Sequence, residues 1–475
     1  MERFRSVLRY GLFALVFLTP LPFGCVQPRS VLVLELAAAL LGGGALVLLV
    51  LERWSPGPRA LACTALLAAV ILVGVLQLLP LPQGVVSTLA TPVSEARGAT
   101  AIALESSLGG PAPASLSAPD TLDAVLRLCC YLLIGVTALA TLRERRDLQQ
   151  AAMVVVASAT FQALYGSFEY LSGRQQIFGY VKSHYLDSAT GTFINRNHFA
   201  GYLAMALPLA MGLTSSTADP SRHESREPAG GRGWRGDLLR FGSADVQRRL
   251  LGLFAAVVIW IGVILSYSRA GLAVALLASV IAGTTLGRGR RRWALALLGT
   301  LLLPTVYLMY LDVNAPGARL GQLGRDLAPT ASRPLVWKAT ARIAADLPWT
   351  GSGLGTFENA FPAYRPPGVR AHWDHAHNDW LQAAAGGGVL VPAAFVALAW
   401  LLLYPRRDRG ERSSALRVVS GCAAAGIAAM ALHSLVDFSL RIPAVPVLLV
   451  ILAAIRLGSD RLLRAAARPS GLRPA

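Results

Sequence analysis

Three of the chain's seven histidines fall within six residues, in 372-HWDHAHNDWLQ-382, directly before an unbroken apolar run. Imidazole is the side chain best matched to proton transfer near neutral pH. His377 stands two residues before Asp379, which with Gln382 reads as an Asp-x-x-Gln capping box. Such a cap would begin a helix and hold His377 and Asn378 at its threshold rather than loose in solvent. His375 is free to point elsewhere. Two other readings stay open at this point. One is a zinc site built from His372, Asp374, His375 and His377, although the spacing matches no common ligand signature. The other is a solvated, His-rich loop with no chemical task.

Three further stretches place polar groups at the edge of an apolar run: 191-GTFINRNHFAG-201, 266-SYSRAG-271 and 433-HSLVDFSLR-441. In the first, Arg196 is surrounded by Asn195, Asn197 and His198. A guanidinium at a helix start can fork onto a phosphate, and the unpaired N–H groups of that helix end add to anion binding. Snorkelling to lipid phosphates is the alternative. In the second, Arg269 follows Ser268 between two apolar segments, where it suits a second phosphate ligand or the cap of a helical hairpin. In the third, Asp437 and Arg441 are spaced to pair across a turn.

The elements that must position these groups are membrane helices. Of the 475 residues 54% are hydrophobic and 15% charged, and the mean hydropathy is +0.52. A soluble domain carries about 25% charged residues. Apolar runs long enough to cross a bilayer recur at 8–24, 31–51, 60–80, 121–141, 149–171, 197–214, 249–266, 270–286, 293–311, 380–404, 414–435 and 443–457. Lipid offers the backbone no hydrogen-bond partners, so such runs must be helical. The expected fold is therefore an all-α polytopic bundle of about twelve transmembrane helices, one membrane domain over 1–475 with both termini cytoplasmic. The first run, followed by 20-PLPFGCVQP-28, reads as a retained helix rather than a cleaved signal.

The formal net charge of +18 does not indicate nucleic acid. Its arginines follow alternate loops (Arg3, Arg5 and Arg9; Arg53 and Arg59; Arg143, Arg145 and Arg146; 288-RGRRR-292; 406-RRDRGER-412) instead of gathering on one face. That is the positive-inside pattern. It puts 215–248, an Arg- and Gly-rich loop suited to anionic membrane lipids, in the cytoplasm. It puts 81–120, 172–196, 266–269, 312–379 and 433–442 outside. The 81–120 segment, rich in Ala, Ser, Pro and Gly, reads as a flexible connector. Within 312–379, the long loop between the ninth and tenth spans, Leu335, Ala339, Ile343 and Leu347 recur every fourth residue. They predict an amphipathic helix that lies in the interface or lids a cavity. The glycines of 351-GSGLGTF-357 predict a tight turn, with an anion-cradling nest as the alternative. All four polar clusters fall on the outward side, which is the main reason to expect an active site there. No Asp-x-Asp or Glu-x-Asp occurs on that side to hold Mg²⁺ or Mn²⁺. Five cysteines without a CxxC indicate neither a disulfide framework nor a zinc ribbon.

At these residues the chain resembles the bacterial O-antigen ligase and O-antigen polymerase superfamily. The likeness is carried by 191-GTFINRNHFAGYLAM-205, 266-SYSRAG-271, 333-RPLVWKATARIAADLPWTGSGLGTF-357, 375-HAHNDWLQAAAGGGV-389 and 434-SLVDFSL-440. The resemblance implies a GT-C-like fold in the bacterial inner membrane and a metal- and cofactor-independent glycosyltransferase acting at the periplasmic face. Saccharide would pass from an undecaprenyl-pyrophosphate-linked donor to lipid A core, a growing polysaccharide or exopolysaccharide. It implies His377 as general base and Arg196 and Arg269 as ligands of the pyrophosphate. The stretch 386-GGGVLVP-392 lacks the Gly-Thr pair of ligases proper, which leaves polymerase and exopolysaccharide roles open. A transporter or flippase of the same lipid-linked saccharides is the alternative of a different class, to which Arg127 in the fourth span lends itself.

Overall fold

The computed structural model describes residues 1–103, 110–214, 244–286, 332–404 and 414–467. In chain order the helices are α1 (Glu2–Leu18), α2 (Pro28–Glu52), α3 (Pro58–Leu78), α4 (Gln83–Leu89), α5 (Thr91–Ala103), α6 (Ala118–Thr141) and α7 (Arg145–Leu171). A two-stranded hairpin, Gln176–Ile177 with Tyr180–Val181, separates these from α8 (Arg196–Thr214), α9 (Ala244–Leu265) and α10 (Arg269–Thr285). Then come α11 (Ser332–Asp346), α12 (Phe357–Tyr364), α13 (Asp379–Gly387), α14 (Leu390–Leu403), α15 (Ser414–His433) and α16 (Ala444–Ala467). The all-α expectation holds.

The count of twelve spans does not. Among the described residues six helices are long and apolar enough to cross a membrane: α2, α3, α6, α7, α9 from Val246, and α15. Each expected span missing among the described residues has a physical reason. Helix α1 has 17 residues and carries Glu2, Arg3, Arg5 and Arg9, and α10 also has only 17. Helix α8 opens on the polar Arg196, Asn197 and His198 and contains Pro208, and it is buried from His198 to Gly212 without interruption, wrapped by protein. The expected span 380–404 is broken at Gly388 (φ 65°, ψ −168°), which divides it into α13 and α14. Helix α16 is long but carries Arg456, Asp460, Arg461 and Arg464. The segment 293–311 lies outside the described residues, as does most of the Arg-rich 215–248.

Helices α7, α9, α10, α15 and α16 pack around α8. Small residues permit the closest approaches. A Cβ on Gly271 of α10 would collide with Ala200 of α8, and one on Gly212 would lie 2.9 Å from the Cys422 sulfur. All five cysteines are free.

The two ends of the bundle differ in kind. At one end arginines make structural pairs: Arg9 with Asp147, Arg143 with Glu52, and Arg59 with Asp460 at 2.8 Å. There Trp54 lies between the Arg143 and Arg461 guanidiniums, 4.3 and 4.9 Å from its ring centre. These residues come from loops that the arginine pattern assigns to a single side. The opposite end carries the four polar clusters and a helical cap.

That cap corrects two expectations. The 81–120 segment is not a flexible connector over its described part: Val86, Ala90 and Val93 of α4–α5 share an apolar cluster with Ile343 and Leu347 of α11 and its C-terminal turn. The predicted amphipathic helix exists as α11. It lays its apolar face on α13 and α12, with Val336 and Ala339 packing on Phe357, Phe361 and Ala376. The residues that read as membrane-seeking therefore cover protein. The glycine turn is a joint and not a nest. Backbone N–H groups of Ser352 and Gly353 donate to Ala385 and Gly386, and the Gln77 amide bridges Thr350, Gly386 and Leu354. Gly351 has φ +64° and no room for a Cβ against the Gly386 backbone. Gly351→Ala should cost at least about 1–2 kcal/mol from the left-handed conformation alone, read as a lowered Tm of the detergent-solubilised protein.

Candidate active site

Contacts bring the four polar clusters together. Ala189 N donates to Leu265 O at 2.8 Å, which ties the loop before α8 to the turn before α10. The Gly271–Ala200 approach sets the first turns of α10 and α8 side by side. Asp379 N donates to Ser434 O at 2.8 Å, which joins the histidine stretch to the turn after α15.

At the centre is Asp437, only 2% exposed. Three imidazoles surround it: His198 Nε2 at 3.6 Å, His377 Nδ1 at 3.7 Å and His433 Nδ1 at 4.0 Å. Ser439 Oγ donates to Asp437 Oδ2 at 3.0 Å and lies 3.2 Å from His433 Nδ1. With the hydroxyl proton given to the carboxylate, Ser439 accepts from His433 Nδ1–H. Burial raises the Asp437 pKa, but the facing imidazoles outweigh it and hold the carboxyl below its ordinary range. Phe438 puts three rings around its own, with centroids 4.6 Å from His198, 4.5 Å from His375 and 4.6 Å from His377. The expected Asp437–Arg441 pair is not formed. Arg441 Nε lies 3.7 Å from Asp379 Oδ1, and Asp437 is given over to histidines.

His375 and His377 have different neighbours, and this separates their chemistry. Gln382 Oε1 accepts from Ala376 N at 2.9 Å, which orients the amide so that its Nε2 donates to His375 Nδ1 at 3.1 Å. The His375 proton therefore sits on Nε2, where it is a donor. Burial, aided by Arg441, pushes the His375 pKa down to about 3, so the ring stays neutral. His377 instead turns Nδ1 toward the Asp437 carboxylate, which favours the proton there and leaves Nε2 as the acceptor. Its side chain is 23% exposed and its backbone has φ +51°. A left-handed backbone at a residue with a side chain costs about 1–2 kcal/mol, and such strain collects at functional sites.

The capping prediction is off by one residue. Asn378 is the cap of α13, its side chain accepting from Leu381 N at 3.0 Å. Asp379 is the first helical residue, and its Oδ2 accepts from Leu440 N at 3.0 Å. Burial raises the Asp379 carboxyl to about 7 against the pull of Arg441. The four-residue zinc set is not assembled: His375 and His377 pack on Phe438, whereas His372 and Asp374 group with Glu358 in an exposed cluster whose ligand atoms lie within 4.8 Å of one another.

Arg196 is the first residue of α8, capped by Asn195, whose Oδ1 accepts from Asn197 N at 2.8 Å. It lies over the Tyr185 ring at 5.5 Å and 3.7 Å from Asp187. Arg269 is exposed at the first position of α10, and Ser268 caps that helix by accepting from Gly271 N at 3.1 Å. Both arginines thus stand at adjacent helix N-termini on the end that holds the histidines. Residues 254–396, from within α9 into α14, match the O-antigen ligase family model. This match supports membership in the O-antigen ligase and polymerase family. No curated protein matches it. Arg269 and the histidine stretch lie inside the superfamily match. Arg196, His198, Asp437 and Arg441 lie outside it and reach the site through the fold. The six apolar helices and this family match together point to a multi-pass bacterial membrane protein.

Three participants escaped the sequence reading. His433 has no role in the sequence reading, although its i,i+4 spacing to Asp437 on the end of a helix signals a contact. Phe438 and Tyr185 left no signal, because nothing local distinguishes a ring that organises imidazoles from one that packs in a core.

Proposed function

We propose that the protein transfers a saccharide from an undecaprenyl-pyrophosphate-linked donor to a saccharide-bearing acceptor at the outer face of the bacterial inner membrane, with inversion at the anomeric carbon. The observation that carries this reading is the His377–Asp437 pair at the meeting point of the four polar clusters. His377 Nε2 takes the proton of an acceptor hydroxyl, and that oxygen attacks the anomeric carbon from the face opposite the leaving group. The bond from that carbon to the pyrophosphate oxygen breaks, and its electron pair leaves with the pyrophosphate. Arg196 and Arg269, with the N–H groups of their helix ends, neutralise the charge that develops there. Asn195, accepting from Asn197 N, and Ser268 cap those two helix starts, and Asn378 caps α13 directly after His377. His375 donates from Nε2 to a substrate oxygen.

The test is transfer by purified protein in liposomes with a lipid-linked donor and a candidate acceptor. Glycan bond formation supports the reading, and lipid reorientation without a new bond supports a flippase instead. Within that assay Arg196→Gln and Arg269→Gln should each weaken donor binding about tenfold or more, the effect of losing a charge-assisted contact. Donor affinity unchanged in both variants would remove the arginines from the proposal.

A further inference from the structure

Two cavities meet beside the site, and the arginines at their junction are not the pair assigned to the donor. The larger, about 450 Å³, runs along the bundle between α3, α6, α14, α15 and α16. Its wall is apolar from Ala60 and Leu402 at the arginine-paired end up to Leu128 and Trp380, and its polar head holds Arg127, His375, Asp379 and Arg441. The smaller, about 410 Å³, is lined by Tyr185, Asn195, His198 and Phe438 and shares Arg127, His375 and Arg441 with the first. A charge inside a spanning helix is expensive and calls for a partner or a function. Arg127 lies in α6 and has no hydrogen bond or ion pair within 4 Å among the described residues; the Glu35 carboxylate of α2 interacts with it at longer range. Among the described residues Arg441 has Asp379 alone as its ion-pair partner, at 3.7 Å, and burial drives that carboxyl toward its neutral form. Asp120 and Asp123 line the same wall toward the start of α6, so the head also offers acceptors for sugar hydroxyls.

We infer that this groove binds the acceptor, a second lipid carrying a phosphate, with the hydrocarbon chain along α3 and α6 and the phosphate between Arg127 and Arg441. Its sugar then enters the smaller cavity beside Phe438 and His375. Charge complementarity selects the occupant: an apolar channel that ends on two guanidiniums fits an anionic amphiphile, not a free sugar or a neutral lipid. The assignment of this lipid as acceptor rests on the proposed transfer reaction; its binding does not.

The test measures binding of farnesyl phosphate to the full-length protein in detergent micelles, with farnesol as the phosphate-free control. Arg127→Gln and Arg441→Gln should each weaken farnesyl phosphate about tenfold or more and leave farnesol binding unchanged, which also reports an intact groove. Arg127→Lys should recover part of the loss, because the charge returns without the fork. The Arg196→Gln, Arg269→Gln double variant should retain this site. Equal farnesyl phosphate affinity in wild type and the Arg127→Gln, Arg441→Gln variant would overturn the proposal. So would displacement by phosphatidylglycerol as effective as by farnesyl phosphate itself, since the groove would then be an ordinary lipid site. Because binding is read without transfer, an inactive preparation leaves this result standing, and a failed binding test leaves the transfer reaction standing.

Discussion

His377→Ala should lower the transfer rate by about 10²–10⁴-fold, the usual contribution of a positioned base, with donor affinity kept within about twofold of wild type. The expectation follows from what the ring touches. Its Nδ1 faces a carboxylate, its Nε2 is left as an acceptor, and its partial exposure gives a substrate hydroxyl access. His375→Ala is the informative companion, because that ring is neutral, donates from Nε2 and is locked by Gln382. It should cost less than His377→Ala, and mainly in substrate binding. The two variants are compared through kcat and KM for transfer. If His375→Ala removes turnover and His377→Ala spares it, the roles of the two imidazoles are reversed and the tautomer argument fails with them.

Much of the site was legible because membrane proteins separate polar chemistry from apolar anchoring along the chain. Arg196, Arg269, His377 and Asp437 were all singled out for lying at an apolar edge, and the fold gathers their clusters at one end of the bundle. Hydropathy was less informative about where each helix lies. An apolar run can face lipid or protein, and α8 shows the difference: it reads as a span but is buried by five neighbouring helices. For the same reason α11 reads as an interfacial helix but closes over α13. Partner choice was the least legible. Asp437 and Arg441 have the spacing of a pair, and only the tertiary arrangement shows that Asp379 takes the arginine while three imidazoles take Asp437. Arg127 invited a transporter reading from its place in a span, and the cavities on either side give it a different task.

Asp437→Asn tests whether those imidazoles form one unit. The substitution keeps size and one acceptor but removes the charge that sets the His377 tautomer, and it places an N–H₂ among rings that already supply donors. Turnover should fall roughly 10²-fold or more, as when a base loses its orienting carboxylate, and His377→Ala on top of it should add little, because the two act through one proton transfer. Stability should fall too: a hydrogen bond to a charged group contributes about 1.5–3 kcal/mol, and Ser439 loses the carboxylate it donates to. The pH dependence has a definite sign. A carboxyl held below its unfolded pKa of about 3.9 stabilises the fold fully above that pH, and the contribution is lost as pH falls toward the folded value. The Tm gap between wild type and Asp437→Asn should therefore be widest near neutral pH and narrow below about 4. A gap that stayed constant on acidification would mean that the Asp437 charge does not hold these rings, and His377 would have to be oriented by something else.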